Sequence, residues 1–306
     1  MLGDWEGTRV EAITAVVCTM NRPGSLVATI RSVLAERPDE LIIIDQSSDD
    51  ATRLAVESSG NPSIRYVHSE VVGLSRAYNT AIALAANELL AFTDDDCTVP
   101  AGWLDSVRHA FKRHPDSPLI YGQVVAGSME LTPGDYIPEF RFTEERRMTP
   151  GAPFWVAGMG ANFCARKSRI RAVGGFDEAL GGGGKFSSSQ DFDLAFRTWR
   201  AGHTVVLDPS MVVHHFGLRT SEQWPKTARA YGIGDAAFYL KHTRCHDGLA
   251  LRLLLAKSAR ELVLPVVRLL QRRPYSAAYA AGFARGLATS FRHPIDSRSK
   301  RYASIS

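Results

Sequence analysis

Glu88-Leu89-Leu90-Ala91-Phe92-Thr93-Asp94-Asp95-Asp96-Cys97 is a short apolar run that stops in three adjacent carboxylates. Its length and unbroken apolar character predict a buried strand over Glu88–Thr93. Three neighbouring carboxylates repel one another unless a cation offsets them. A hard divalent ion does this, and Mg²⁺ typically takes one or two carboxylates together with substrate phosphates. A plainer account is an acidic turn capping the helix predicted at Pro100–His114. The buried strand before the triplet, and a second polar cluster at Asp45, weigh against it.

Toward the N-terminus the same design repeats. Ala12–Cys18, Glu40–Asp45 and Ile64–His68 read as strands. Between them, Gly24–Glu36 carries Leu26, Ile30, Val33 and Leu34 at helical spacing, and Asp49–Ser58 and Ser75–Asn87 also read as helices. This alternation predicts an α/β fold with a doubly wound, mostly parallel sheet. Three strands end in polar residues: Cys18-Thr19-Met20-Asn21, Asp45-Gln46-Ser47-Ser48-Asp49 and Thr93–Asp96. Ligands of open α/β sheets sit at the carboxyl ends of strands, so the three clusters should converge on one crevice. No G-x-G-x-x-G follows a strand and there is no G-x-x-x-x-G-K-[ST]. A dinucleotide dehydrogenase and a P-loop NTPase are disfavoured.

The second half is less regular. Ser128–Pro153 reads as a long loop and Gly181–Ser189 as a flexible stretch. Ser188–Ala201 reads as a helix, Val205–Leu207 and Met211–His214 as strands, and everything from Ser221 onward as helical. The 306 residues are 45% hydrophobic and 22% charged, which excludes a disordered or collagen-like chain. Cys18, Cys97, Cys164 and Cys245 are far apart without a C-x-x-C pair, so neither a disulfide scaffold nor a Cys-type zinc site is expected, and a reducing cytosol fits. Met1–Glu11 has no apolar core, so no secretory signal is expected. The longest uncharged run, Met148–Ala165, is broken by Pro150, Gly151, Pro153, Gly158 and Gly160, unlike a spanning helix.

Five segments in order resemble family 2 glycosyltransferases with the GT-A fold. Val17–Pro23 resembles the family's V-C-T-Y-N-R start, and Ile43–Asp50 its V-V-D-D-G-S-x-D segment. Gly73–Asn79 is similar to G-L-S-x-A-R-N, and Thr93–Cys97 matches D-x-D. Gly175–Glu178 followed by Gln190–Arg197 resembles G-F-D-E … E-D-x-D-L-x-x-R. The likeness covers roughly residues 12–220, and Ala230–Thr243 resembles a segment of bacterial rhamnosyltransferase-like members.

The resemblance implies a catalytic domain over residues 1–240. Thr19, Asn21, Arg22, Asp45, Arg76, Asp94 and Asp95 would serve the donor. Asp96, with His214 or His215, would hold Mg²⁺ or Mn²⁺. Asp191 would be the general base, and Trp155, Gly160, Asn162 and Gln190 would face the acceptor. Two departures stand out: Gln190 replaces the family's usual Glu, and Tyr78 its usual Arg, with Arg76 as substitute. The implied reaction is inverting, metal-dependent transfer of a sugar from a UDP-, dTDP- or GDP-sugar to a glycan or lipid-linked acceptor. A sugar nucleotidyltransferase would want a Gly-rich basic loop after the first strand, which Thr19–Pro23 lacks. An inactive glycan- or nucleotide-binding relative has only Gln190 in its favour.

Charge divides the chain. Residues 1–240 hold 23 Lys/Arg against 29 Asp/Glu, and residues 241–306 hold 13 against 3. Leu251, Leu255, Leu262, Val266 and Leu269 fall on one helical face, and Lys257, Arg260, Glu261, Arg268 and Arg272 on another, with a kink expected at Pro265. This basic amphipathic extension suits an anionic membrane surface, which would make the protein peripheral at the cytoplasmic face of the plasma membrane. Packing on its own domain or in a homodimer is the competing cover. Only Tyr275, Tyr279 and Phe283 interleave aromatics with the basic residues, so nucleic acid is not expected.

Overall fold

The computed structural model describes residues 11–155, 158–270 and 274–303, and for 262–270 and 274–276 the backbone only. The expected roles of Leu262, Val266, Leu269, Arg268 and Arg272 on the tail therefore lie outside the described side chains, as does Tyr275.

The elements run β1 (Ile13–Thr19), α1 (Pro23–Ala35), β2 (Glu40–Asp45), α2 (Ala51–Glu57), β3 (Ile64–His68), α3 (Leu74–Leu84), β4 (Leu89–Asp94), β5 (Cys97–Thr98), α4 (Trp103–Arg113), β6 (Leu119–Ala126), β7 (Arg146–Met148), β8 (Asn162–Arg166), α5 (Lys167–Ala172), α6 (Gln190–Arg200), β9 (Val205–His215), α7 (Trp224–Arg244), α8 (Gly248–Leu270), α9 (Pro274–Phe291), β10 (Ile295–Asp296) and β11 (Arg301–Tyr302). Nine strands form one sheet in the order β3-β2-β1-β4-β8-β6-β9-β5, with β7 on β9. β3, β2, β1 and β4 are mutually parallel, as the alternating pattern predicts. Their register sets Thr19 beside Asp45 and Cys18 beside Asp94. Equal strand ends thus bring the three polar clusters to one level of the sheet.

The strands are continuous apolar runs because helices cover both faces. On one side α1 buries Leu26, Thr29, Ile30 and Val33, a single face at helical spacing, after an opening Pro23 that suits the first turn. Thr29 reaches past the core: its hydroxyl donates to the carbonyls of Asp95 (3.0 Å) and Cys97 (2.6 Å), fixing the turn after β4. On the other side Phe92 of β4 stacks on Phe163 of β8 at 4.3 Å.

β6 and β8 go beyond the predicted strands, and β8 runs antiparallel to both its neighbours. Gly122 makes this crossing feasible, since a Cβ there would lie 2.2 Å from Asn162 Nδ2 and 2.5 Å from the Met211 carbonyl. The two strands expected at Val205–Leu207 and Met211–His214 are one, β9. Ser128–Pro153 contains β7, paired with Val205–Leu207. Gly181–Ser189 is pinned rather than loose: Phe186 is fully buried, the Gly181 amide donates to the Phe186 carbonyl within the segment, and the Phe186 amide donates to the Ala179 carbonyl before it.

The tail is not purely helical, because the β10–β11 hairpin follows α9. α8 continues through Pro265 as one element. Residue 240, the expected domain limit, lies inside α7. Just beyond it Lys241 is fully buried, with its ammonium 2.6 Å from Asp177 and 2.5 Å from Asp193. Asp193 also takes Arg197 (2.8 Å) and His242 (2.8 Å). Burial pushes the His242 imidazole down to about 4, so it sits neutral against Asp193. Removing one member of such a cluster strands a buried charge, so Lys241→Met should lower unfolding free energy by about 3 kcal/mol or more. Urea unfolding checks this, and a loss under about 1 kcal/mol, the scale of a surface pair, would contradict it.

Candidate active site

The turn after β4 carries the negative charge. Thr19 Oγ1 donates to Asp95 Oδ2 at 2.7 Å, and one nitrogen of the Arg22 guanidinium lies 3.0 Å from both Asp95 and Asp96. Asp96 Oδ1 is 3.3 Å from His215 Nε2, whose Nδ1 meets the Pro138 carbonyl at 2.9 Å. Burial pushes the Asp94 carboxyl up to about 7, helped by Asp96 and Asp95 beside it. Burial works the same way on Asp96, yet the His215 hydrogen bond, with Arg22 and Arg219, holds it below its ordinary value. The His215 imidazole is raised: burial opposes its charge, but Asp96 outweighs burial.

This site fits a divalent cation. Asp96, Cys97 and His215 bring ligand atoms within 4.8 Å of one another. Burial raises the Cys97 thiol, which leaves the Asp96 carboxylate as a donor, with the His215 imidazole joining it once the ion displaces the proton that Nε2 shares with Asp96. Gly217 keeps the space clear, because a Cβ there would lie 2.4 Å from Asp96 Oδ2 and 2.6 Å from His215 Nε2. Of the two candidate histidines, His215 meets Asp96. His214 sits opposite Thr98 and, by strand alternation, faces the other side of β9.

Asp94 also lines a cavity of about 480 Å³ together with Gln190 and Asp191 at the start of α6. Tyr78 donates to Asp94 at 3.4 Å. Gln190 donates to Asp191 Oδ2 at 3.3 Å, while Oδ1 is buried with no hydrogen-bond partner. Burial pushes the Asp191 carboxyl up to about 7, against the Gly160 amide and Gln190. The departure from Glu at position 190 thus gives Asp191 a donor where a carboxylate would repel it. A Cβ on Gly160 would lie 2.8 Å from both Asp191 oxygens. Gly160→Ala should therefore cut turnover about tenfold or more by displacing the carboxylate, while leaving the melting temperature near wild type. An alanine variant with full turnover would show that Asp191 need not hold this position.

Other predicted residues fall elsewhere. Asn21 joins two loops, its amide donating to Ser47 Oγ (2.7 Å) and its side chain accepting from Ser48 (3.0 Å). Asp45 is fully buried, and its oxygens already accept from the Ser47 amide (2.8 Å) and the Tyr66 hydroxyl (2.7 Å). Arg76 faces Glu178 at 3.6 Å, outside the residues lining the cavity. Asn162 is a core residue: it accepts from Trp103 and donates to the Gln123 and Met211 carbonyls, so its expected acceptor role is corrected. Trp155 is half-buried against the core beside Phe154, and it too is absent from the cavity lining.

Sequence reading missed Arg219, Tyr231, Asp235 and Tyr279, all of which line the cavity. Three come from α7 and α9, whose helical pattern gave no sign of which face turns toward the sheet.

The model of "Glycosyl transferase family 2" matches residues 14–165. The chain is 24% identical over 225 residues to the glucosyl-dolichyl phosphate glucuronosyltransferase of Haloferax volcanii, covering 69% of this chain and 72% of that protein. It is 26% identical over 246 residues to the pre-mycofactocin glycosyltransferase of Mycobacterium tuberculosis, covering 75% of this chain and only 48% of the relative. Its fold is similar to that of a mannosyltransferase from Pyrobaculum calidifontis solved with GDP-Man and Mn²⁺ (TM-score 0.61, 16% identity, 93% of this chain and 88% of that one). With the family's segments aligned along one crevice of a GT-A sheet, the chain belongs to the family 2 glycosyltransferases.

Proposed function

We propose that the chain moves a sugar, with inversion, from a nucleoside diphosphate donor to a hydroxyl of a glycan or lipid-linked acceptor. The observation that carries this reading is the unpartnered, buried Oδ1 of Asp191 in the same cavity as Asp94. Such an oxygen needs a donor, and an acceptor hydroxyl supplies one. As that hydroxyl attacks C1, its proton passes to Asp191, and the bond from C1 to the diphosphate breaks on the opposite face. Mg²⁺ or Mn²⁺ held by Asp96 and His215 would offset the charge growing on the departing diphosphate. Thr19, Asp94, Asp95 and Arg22 would orient the donor, with Arg219 as a further cation on the cavity wall. The names of two similar proteins support this: one acts on a dolichyl phosphate glucoside, and another was solved with GDP-Man and Mn²⁺. Product analysis by NMR tests the stereochemistry: inversion at the anomeric carbon is expected, and retention would contradict a single displacement.

We further propose that the chain works at the cytoplasmic face of a membrane. No helix among the described residues is long and apolar enough to cross one. Leu251 and Leu255 of α8 are 43% and 60% exposed, on a tail rich in Lys and Arg. In anionic vesicles at low salt the double variant Leu251→Asp, Leu255→Asp should lose most co-sedimentation. Undiminished binding would assign the contact to another surface.

A further inference from the structure

The helix that carries Asp191 begins in an unusual way. Ser189, the residue before Gln190, has φ 69° and ψ 15°, the left-handed region that a residue with a side chain adopts only when its surroundings hold it there. Its side chain does not cap α6. Instead Ser189 Oγ donates to Asp235 Oδ1 of α7 at 2.8 Å. The other oxygen, Asp235 Oδ2, accepts from Tyr279 Oη of α9 at 2.5 Å and lies 3.7 Å from Lys257 Nζ of α8. The Lys257 ammonium also sits 4.7 Å from the centre of the Tyr279 ring. One carboxylate therefore ties Ser189, two residues before the base, to all three tail helices.

The packing leaves little slack. Gly234 of α7 is so close to the loop that a Cβ would lie 2.0 Å from Ser188 Oγ and 2.7 Å from Ser188 backbone. α7 and α9 meet through glycines as well: a Cβ on Gly232 would come 2.2 Å from the Tyr279 carbonyl, and one on Gly282 2.2 Å from that of Arg229. Asp235 and Tyr279 are set by these contacts, and both border the cavity with Asp191.

We infer that Asp235 is a positioning residue: with Tyr279 and Ser189 it buckles the tail helices onto the N-terminus of α6 and so fixes where Asp191 stands. The inference rests on the reading of Asp191 as the base for its consequence in turnover, but not for the local order it predicts. The basic tail thereby becomes part of the catalytic apparatus, whatever else its surface binds. Deleting α8 and α9 would remove Lys257 and Tyr279, so the test uses point substitutions in the full chain.

Asp235→Asn and Tyr279→Phe keep the shape of their side chains and remove one arm of the buckle each. Amide hydrogen exchange over residues 188–193 should rise about tenfold or more in both, with β1, β4 and β8 unchanged. With UDP-glucose or GDP-mannose, Mn²⁺ and water as acceptor, kcat should fall about tenfold or more while the donor KM stays within about twofold. Unchanged exchange over 188–193 overturns the inference. Faster exchange throughout the sheet also overturns it, because Asp235 would then support the fold and not the position of α6. If exchange rises locally and Asp191→Asn proves to have normal turnover, the buckle stands and the assignment of the base fails.

Discussion

Asp191→Asn should lower turnover by about 10²-fold or more and leave donor affinity nearly unchanged. Asn retains the volume of the side chain and its contact with Gln190, so the start of α6 should keep its place. What disappears is the oxygen that receives a proton. That proton moves only in the transition state, and the ground-state complex with donor does not depend on it. The same residue sets a pH limb. With the Asp191 carboxyl pushed up to about 7 by burial, a growing share is protonated as pH falls through that value. A carboxyl already protonated cannot take the proton of the attacking hydroxyl, so wild-type kcat should decline below about pH 7, and the Asn variant should lack this limb. Steady-state kinetics from pH 5.5 to 8.5 would show both effects, that window bracketing the shifted value by about 1.5 units. Equal losses in donor affinity and turnover would move Asp191 to the donor side.

Asp96→Asn should weaken Mn²⁺-dependent nucleotide binding by about 100-fold or more, beyond the loss seen when a partner of a metal ligand is removed. Asp96 is the carboxylate that the structure holds charged, through His215 and Arg22, inside a pocket that Gly217 keeps open. Asn keeps the volume and loses the charge. Asp95 retains Thr19 and Arg22, so the turn after β4 should hold its shape and the melting temperature should change little. Calorimetric titration with UDP and GDP in Mn²⁺ measures the effect. Undiminished affinity would take Asp96 out of the metal site.

Much of this site was legible because parallel strands reveal themselves in sequence. Thr19, Asp45 and Asp94 each end an apolar run, and a parallel register lines up such ends whatever the loops do. The antiparallel insertion of β8 was not legible. Asn162–Arg166 follows a stretch rich in Gly and Pro, and only the completed sheet shows that Asn162 spends its amide on β6 and β9. That is why a residue expected at the acceptor turned out to be in the core. Choosing between His214 and His215 needed one fact that sequence lacks, the register of β9 on β5, since a shift of one residue exchanges the two faces. Asp235 and Tyr279 were hidden for a different reason. They lie 44 residues apart on helices whose mutual angle depends on where glycines permit close approach.

Under the proposed reading, Asp96 and His215 hold a divalent ion against a nucleoside diphosphate. Thermal denaturation of the full chain with UDP, GDP or dTDP, each with Mn²⁺ or with EDTA, is the test. A nucleotide at about 100 times its dissociation constant adds about 2.7 kcal/mol of stability, a readily measured shift. At least one of the three should raise the melting temperature in Mn²⁺ and not in EDTA, and Asp96→Asn should abolish that rise. Stabilisation that is equal in EDTA, or absent with all three nucleotides in Mn²⁺, would contradict the claim.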